Sequence, residues 1–312
     1  MTTETSSAQS FEDYLKSRQY SNSTIKGHLK NVIMLEKWAG KEGITLLEIT
    51  YQDLLAYTKH LTKRGTGKST IRAYMGSIRH YYSHQAKQDK ITKNPTTNLQ
   101  IKGVKRRMVY DIFSPMELGQ LYHKFTTTPP SYTKQHESEL RALEYQRDIV
   151  ILGLLIYQGV TAKELIQLQP NHIQLRQGQI EIPGGRKSES RILKLEAVQM
   201  LDIQEYLLKT RGEILQTTSK ESGQLFISIG WSDSLYPTLG KFTNTIRKQN
   251  PRIQDLQQVR ASVIVKWLKN YNLRQVQYMA GHRYVSSTEK YKLNDLRDLQ
   301  EDVNKYHPTI TG

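Results

Sequence analysis

Arg260, His282 and Tyr291 are of residue types that together can handle a phosphate. A tyrosine hydroxyl is a nucleophile, but a phenol pKa near 10 calls for nearby positive charge or a base at neutral pH. An arginine offers a planar fork that grips two phosphate oxygens, which lysine does not imitate. A histidine can donate to the phosphate or help remove the nucleophile's proton. Taken singly each has a bland reading. Most of the 19 tyrosines must be packing, an arginine on a basic helix is usually surface, and a lone histidine is usually ordinary. Relative position separates these three from that background.

The elements that must present them can be read from local patterns. Val259-Arg260-Ala261-Ser262 opens a helical segment that runs through Trp267 and Leu268. Leu273 to Ala280 is a second helical run, ending at Gly281, the residue type that best accepts a left-handed conformation past a helix C-terminus. Ser286-Ser287-Thr288-Glu289 predicts a capping box with Ser286 as N-cap, which places Tyr291 early on a third helix. An arginine, a histidine and a tyrosine at three consecutive helix ends can make a phosphate site with a nucleophile.

Composition bounds the partner. The formal charge is +16, from 45 Lys+Arg against 29 Asp+Glu, in 312 residues, so two domains and a polyanionic, salt-sensitive partner are expected. Ribosomal and membrane-surface proteins share such a balance. The absence of cysteine excludes disulfides and thiolate metal sites and fits a reducing cytoplasm. No apolar run approaches a membrane span and Met1-Thr2-Thr3-Glu4 lacks a secretory pattern, so a cytoplasmic protein without membrane partners is expected. His80 and His84 stand four apart on a predicted helix without a third ligand, beside Tyr81-Tyr82, and no glycine loop for ATP occurs. No metal and no cofactor are expected.

Residues 1–9 are polar and read as a disordered tail. Helical periodicity then dominates to about residue 88. Phe11 to Arg18 is one helix; Ser23 caps a second with Ile25, Leu29, Val32, Leu35 and Trp38 on one face, ended by Gly40. Thr50 begins a third and Ser69 a fourth, and Asn94-Pro95 stops the pattern. These make a four-helix N-terminal domain over 10–98. A basic linker, 99–110, follows with Lys102, Lys105, Arg106 and Arg107; between two basic domains it reads as a segment that tracks a phosphate backbone rather than as solvated spacer. The second domain spans 111–312. Ser114-Pro115-Met116-Glu117 starts a helix, Lys124 to Glu137 reads as a polar loop, and Glu139 to Tyr157 as a long helix. Alternation at Ile173 and Leu175, Ile180 and Ile182, and Ile192 or Leu193 with Leu195 predicts a small three-stranded antiparallel sheet. The remainder is helical, with Leu293 to Tyr306 as a terminal helix, so the fold class is mainly α.

At this point the chain resembles the tyrosine recombinases, the phage integrase family. That family's C-terminal box reads roughly H-x-x-R, then G-H, then a tyrosine ten positions after the glycine. Arg260, Gly281-His282 and Tyr291 match it. Gly159-Val160-Thr161-Ala162-Lys163-Glu164-Leu165 aligns with a G-x-R-x-x-E-L box, in which Glu164 is a supporting residue. The N-terminal order also matches the family's core-binding (SAM-like) domain: Ser21-x-x-Thr24, a long helix, Thr50-x-x-Asp53-Leu54, Ser69-Thr70-Ile71, then Asn94-Pro95. The resemblance implies double-stranded DNA as partner, contacted also by Lys68, Arg72 and Arg186, and a homotetramer on two DNA sites, with a second recombinase as a further partner. It implies attack by Tyr291 to give a 3′-phosphotyrosine, with Arg260 and His282 on the phosphate. A hairpin lysine protonates the leaving hydroxyl in the family; counting back from Arg191-Ile192-Leu193 lands on Arg186, the lysine itself is Lys187, and Lys187 is assigned the role.

Two family positions are substituted. Thr161 stands where the family has its first arginine, and Gln257 where it has the histidine three before the second. Gln257 keeps a hydrogen-bonding group. Thr161 replaces a bidentate cation by a neutral hydroxyl, which by analogy with one lost oxyanion donor costs about 10²–10³ in rate, or roughly 3–4 kcal/mol, unless Lys163, Arg186 or another cation compensates. Two readings follow. One is a recombinase or integrase of a mobile element; the other is a catalytically impaired, DNA-binding accessory protein on the same scaffold. A basic helical RNA-binding protein is a third, more distant reading.

Overall fold

The computed structural model describes residues 2–103, 110–129 and 135–292. It divides into two compact units, residues 1–108 and 109–312, and the division falls within the stretch expected to be a linker. Lys105, Arg106 and Arg107 lie outside the described residues, as does the helix expected over Leu293 to Tyr306.

The N-terminal unit is a four-helix bundle: α1 Thr2–Ser17, α2 Asn22–Lys41, α3 Tyr51–Lys63 and α4 Lys68–Lys87. Its core gathers one stripe from each helix, including Phe11, Leu15, Leu35, Leu54, Tyr57, Leu61, Ile78 and Tyr82. The expected disordered tail is instead the first half of α1. Phe11 packs edge-on against Tyr81 at 5.4 Å, and once a turn is anchored each further residue adds a hydrogen bond for one residue fixed, with no Gly or Pro in 2–10 to interrupt it. The cap of α2 is Ser21, not Ser23, because Ser21 has the extended backbone a cap needs and accepts from the Thr24 N–H. Gly40 stays inside the helix, and the left-handed turn is made at Gly43 (φ 72°). Thr50 caps α3 in a reciprocal box with Asp53, while α4 starts at Lys68 rather than Ser69, with Gly67 as cap. Leu99 is buried in this core, and Arg79 Nη2 donates to its carbonyl at 2.7 Å. The first residues of the expected linker therefore belong to the bundle.

The C-terminal unit begins with α5 Pro115–Thr127, capped by Ser114 with Glu117, and α6 Gln135–Tyr157. Both helices reach further into the expected polar loop than its composition indicates. The second half of α6, from Ile149 to Ile156, is buried on nearly every side and forms the central rod of the core. A short α7, Ala162–Gln167, leads to a three-stranded antiparallel sheet in the order β1 (Ile173–Gln174), β2 (Gln179–Ile182), β3 (Arg191–Lys194). The β2–β3 register pairs Ile180 with Leu193 and Ile182 with Arg191. Since side chains alternate along a strand, Ile180, Ile182, Leu193 and Arg191 all face the core. Helices α8 Ala197–Glu205 and α9 Arg211–Thr218 flank a single π turn. They are followed by α10 Tyr236–Gln249, α11 Leu256–Asn270 and α12 Leu273–Met279, then α13 over 285–292. No helix among the described residues is long and apolar enough to cross a membrane.

The two faces of the β2–β3 hairpin should separate in mutagenesis. Ile180, with no exposed surface, should lose about 2–5 kcal/mol on truncation to alanine. Ile192, on the opposite face and 46 % exposed, should change by less than roughly 0.5 kcal/mol. Urea unfolding of the two variants measures both.

Candidate active site

Helix α11 supplies Arg260. Asp255 caps the helix by accepting from the Gln258 N–H at 2.8 Å, and the stretch from Gln258 to Val265 is buried throughout. Arg260 is 5 % exposed and its fork is aimed by two carbonyls that accept from it: Gly159, at the end of α6, and Ala280, at the end of α12 (2.5 Å). Gly159 has φ +55°, and a Cβ there would press on Val263 and Trp267, so a glycine is required for its carbonyl to turn toward Arg260. The Tyr291 side chain lies near enough to act on the charge of this guanidinium. Burial lowers the pKa of Arg260, opposed by the Glu164 charge and reinforced by Arg191.

Helix α12 ends in a Schellman motif. The Gly281 N–H donates to Tyr278 O (2.8 Å) and the His282 N–H to Gln277 O (3.0 Å). Gln277 Nε2 returns a bond to the His282 carbonyl at 3.0 Å and locks the turn. His282 is held from its other side by Thr288, a fully buried residue whose hydroxyl lies 2.9 Å from Nδ1. Its ring stacks on Tyr291 with centroids 5.8 Å apart and planes 11° from parallel. The expected cap at Ser286 is corrected: α13 already begins at 285, because the Tyr284 carbonyl accepts from the Ser287 N–H. Thr288 therefore faces His282 from within the first turn.

Glu164 joins the pieces. Thr161 caps α7, its hydroxyl accepting from the Glu164 N–H (3.1 Å) while Glu164 Oε2 accepts from the Thr161 N–H (2.8 Å). The same carboxylate takes both Nη groups of Arg191, at 2.7 and 3.2 Å, and lies 3.9 Å from Arg260 Nη1. Burial pushes the Glu164 carboxyl up, but the Arg191 bonds, the charges of Arg191 and Arg260 and the Thr161 N–H outweigh it and hold it below the usual range.

Four of the expected residues thus converge: Tyr291, Arg260, His282 and Glu164. Gln257 is exposed on the first turn of α11, one turn before Arg260. Lys187 and Arg186 are exposed at the tip of a tight turn closed by Gly185 and Ser188. That turn is tied to the histidine segment: the Glu189 N–H donates to Gly281 O at 3.0 Å, and Arg283 donates to Glu189 Oε1 (2.7 Å) and to the Arg186 carbonyl (3.1 Å). Lys163, one cation considered as compensation for Thr161, is exposed, as is Arg186. In the other unit, Lys68 and Arg72 are exposed one turn apart on α4, and Lys102 is exposed beyond it. Thr288 and Arg191 were missed from sequence. An arginine in the inward-facing row of a strand, alternating with Leu193 and Leu195, was the available signal for the second.

Residues 8–89 match the model of the phage integrase N-terminal SAM-like domain. The chain is 20 % identical to tyrosine recombinase XerD of Shewanella oneidensis over 307 residues, covering 95 % of this chain and 94 % of that protein. It shares its fold with the XerH site-specific recombinase in a post-cleavage complex with its palindromic difH substrate, at TM-score 0.69 and 17 % identity, over 93 % of this chain and 81 % of that one. It likewise shares the fold of a lambda integrase dimer bound to a COC' core site, at TM-score 0.60 and 13 % identity, over 92 % and 94 %. The N-terminal domain match, the full-length likeness and the common fold all point the same way: over nearly its whole length the chain is similar to tyrosine recombinases and shares the fold of solved members of that family.

Two outcomes test this packing. A Cβ at Gly281 (φ +63°) would overlap Arg191 Nη1, whereas Gly178 (φ +61°) has open space around it. Gly178→Ala should cost roughly 1–2 kcal/mol for its backbone alone, and Gly281→Ala clearly more, by thermal unfolding. The low Glu164 pKa contributes stability that is complete above the ordinary glutamate value of 4.5 and is lost as pH falls through the folded value below it. Glu164→Gln should therefore lose part of the wild-type decline in Tm below about pH 4.5.

Proposed function

We propose that this chain is a site-specific DNA recombinase of a mobile element, an integrase in the broad sense, that cuts DNA through a 3′-phosphotyrosine at Tyr291. The observation that carries the reading is His282 stacked on the Tyr291 ring, 5.8 Å between centroids, with the buried Arg260 guanidinium near the same side chain. The Arg260 charge offsets the negative charge that builds on a phosphate under attack. In the reaction the Tyr291 oxygen attacks phosphorus, the phosphorus–O5′ bond breaks, and the DNA 5′-hydroxyl leaves. His282, its ring fixed by Thr288, takes the phenol proton or donates to a non-bridging oxygen. Lys187, exposed on the hairpin turn, protonates the leaving oxygen. The phosphotyrosine conserves the bond energy, and a second 5′-hydroxyl reverses the step to rejoin strands.

The net charge of +16 and the exposed Lys68, Arg72, Lys102 and Arg186 support double-stranded DNA as the partner. A homotetramer across two sites, alone or beside a second recombinase, is the assembly this chemistry uses for paired exchange. A second reading, an accessory DNA-binding protein, is favoured by one observation: Thr161 serves as a helix cap and brings no cation to the site.

Covalent trapping separates the two. The full chain is incubated with nicked duplexes from the ends of the element that carries its gene, then run on a denaturing gel. A protein–DNA band is expected for the wild type and none for Tyr291→Phe. Binding to those ends without a band for either protein would establish the accessory reading.

A further inference from the structure

Arg191 lies in the inward row of β3 with no exposed side-chain surface, and it is an expensive residue to place there. Both its Nη groups go to Glu164, and its buried Nε has no hydrogen-bond partner. Its guanidinium rests so closely on Gly281 that a side chain there would collide with it. Arg191 thereby touches the turn that presents His282, and through Glu164 it reaches the cap of α7 and the neighbourhood of Arg260.

The charges of this buried group decide what it can attract. The charged side chains acting on Arg260 include one carboxylate, Glu164, and one further guanidinium, Arg191. Without Arg191, Glu164 would be the counter-ion of Arg260, and the pair would be neutral toward an incoming anion. With Arg191 engaging both carboxylate oxygens, two cations face one anion and a unit of positive charge is left beside Tyr291. Such a difference is strongly felt where water is excluded. Thr161, the neutral cap of α7, supplies none of it.

We infer that Arg191 is a positioning residue that makes this pocket a phosphate seat: by occupying both oxygens of Glu164 it leaves the charge of Arg260 uncompensated for an oxyanion beside Tyr291. The assignment rests on the reading that Tyr291 attacks a phosphodiester, and it places the compensation for a threonine at position 161 on a different element, the strand of the hairpin.

The test uses the full chain and orthovanadate, a tetrahedral oxyanion that needs no DNA sequence, with affinity read by calorimetry. Arg191→Gln should weaken vanadate binding at least tenfold, and Arg191→Lys should recover much of it. Glu164→Gln, which breaks the same ion pair but removes the negative partner, should bind at least as tightly as the wild type. The double variant Arg191→Gln/Glu164→Gln should return to near wild-type affinity. A purely structural ion pair gives a different pattern, since both single variants then lose affinity together. That pattern, wild-type affinity in Arg191→Gln, or no vanadate binding by the wild type would each overturn the inference. Where trapping on nicked DNA succeeds, the covalent-complex rates should rank the variants in the same order. Vanadate affinity that follows charge in a protein forming no covalent complex would leave Arg191 as assigned and overturn the strand-transfer reading instead.

Discussion

The C-terminal unit turns on one carboxylate. Glu164 caps the start of α7 through Thr161, grips Arg191 from β3 and stands 3.9 Å from Arg260 on α11. A buried carboxylate is tolerable only with such partners, because desolvation penalises its charge and removal of one partner from a buried pair typically costs about 3–5 kcal/mol. Helix, sheet and central α11 are thus held in one relation by a group that none of them could bury alone. The arrangement also keeps Glu164 ionised and therefore fixed in its acceptor role.

The same economy appears at Gly281. The residue closes α12 by a Schellman turn, offers its carbonyl to the hairpin at Glu189, and by lacking a Cβ leaves room for Arg191. A helix terminus, a hairpin and a buried cation meet at one backbone position. His282 follows directly and inherits a fixed position, completed by the Gln277 bracket on its backbone and Thr288 on its ring. Preorganisation of this kind matters for phosphoryl transfer, where placing donors ahead of the reaction avoids reorganising them during it.

A modest likeness in sequence goes with a common fold. The likeness to tyrosine recombinases rests on the domain match over 8–89, on similarity along nearly the whole chain and on the fold. Thr161 caps α7 and brings no charge to the buried space around Glu164. On this scaffold an arginine from an adjacent strand can enter the same buried space, because β3 runs beside α12 and its inward row points at Glu164.

Much of this protein was legible in its sequence. The four N-terminal helices, the sheet at Ile173, Ile180 and Leu193, and the grouping of Arg260, His282 and Tyr291 follow from periodicity, caps and spacing, all of which act over a few residues. Boundaries set by competition between nearby groups were less legible: Ser21 displaced Ser23 as a cap, α13 began before Ser286, and α1 extended over the polar tail. Only the tertiary structure decided that Arg191 faces Glu164, that Thr288 steadies His282, and that Lys163 is exposed. Those outcomes depend on side chains 6 to 27 positions apart, or on distant elements, sharing one desolvated space. Sequence shows which residues can ionise or donate, but the cost of burying a charge and the partner that offsets it exist only once the chain has closed around them.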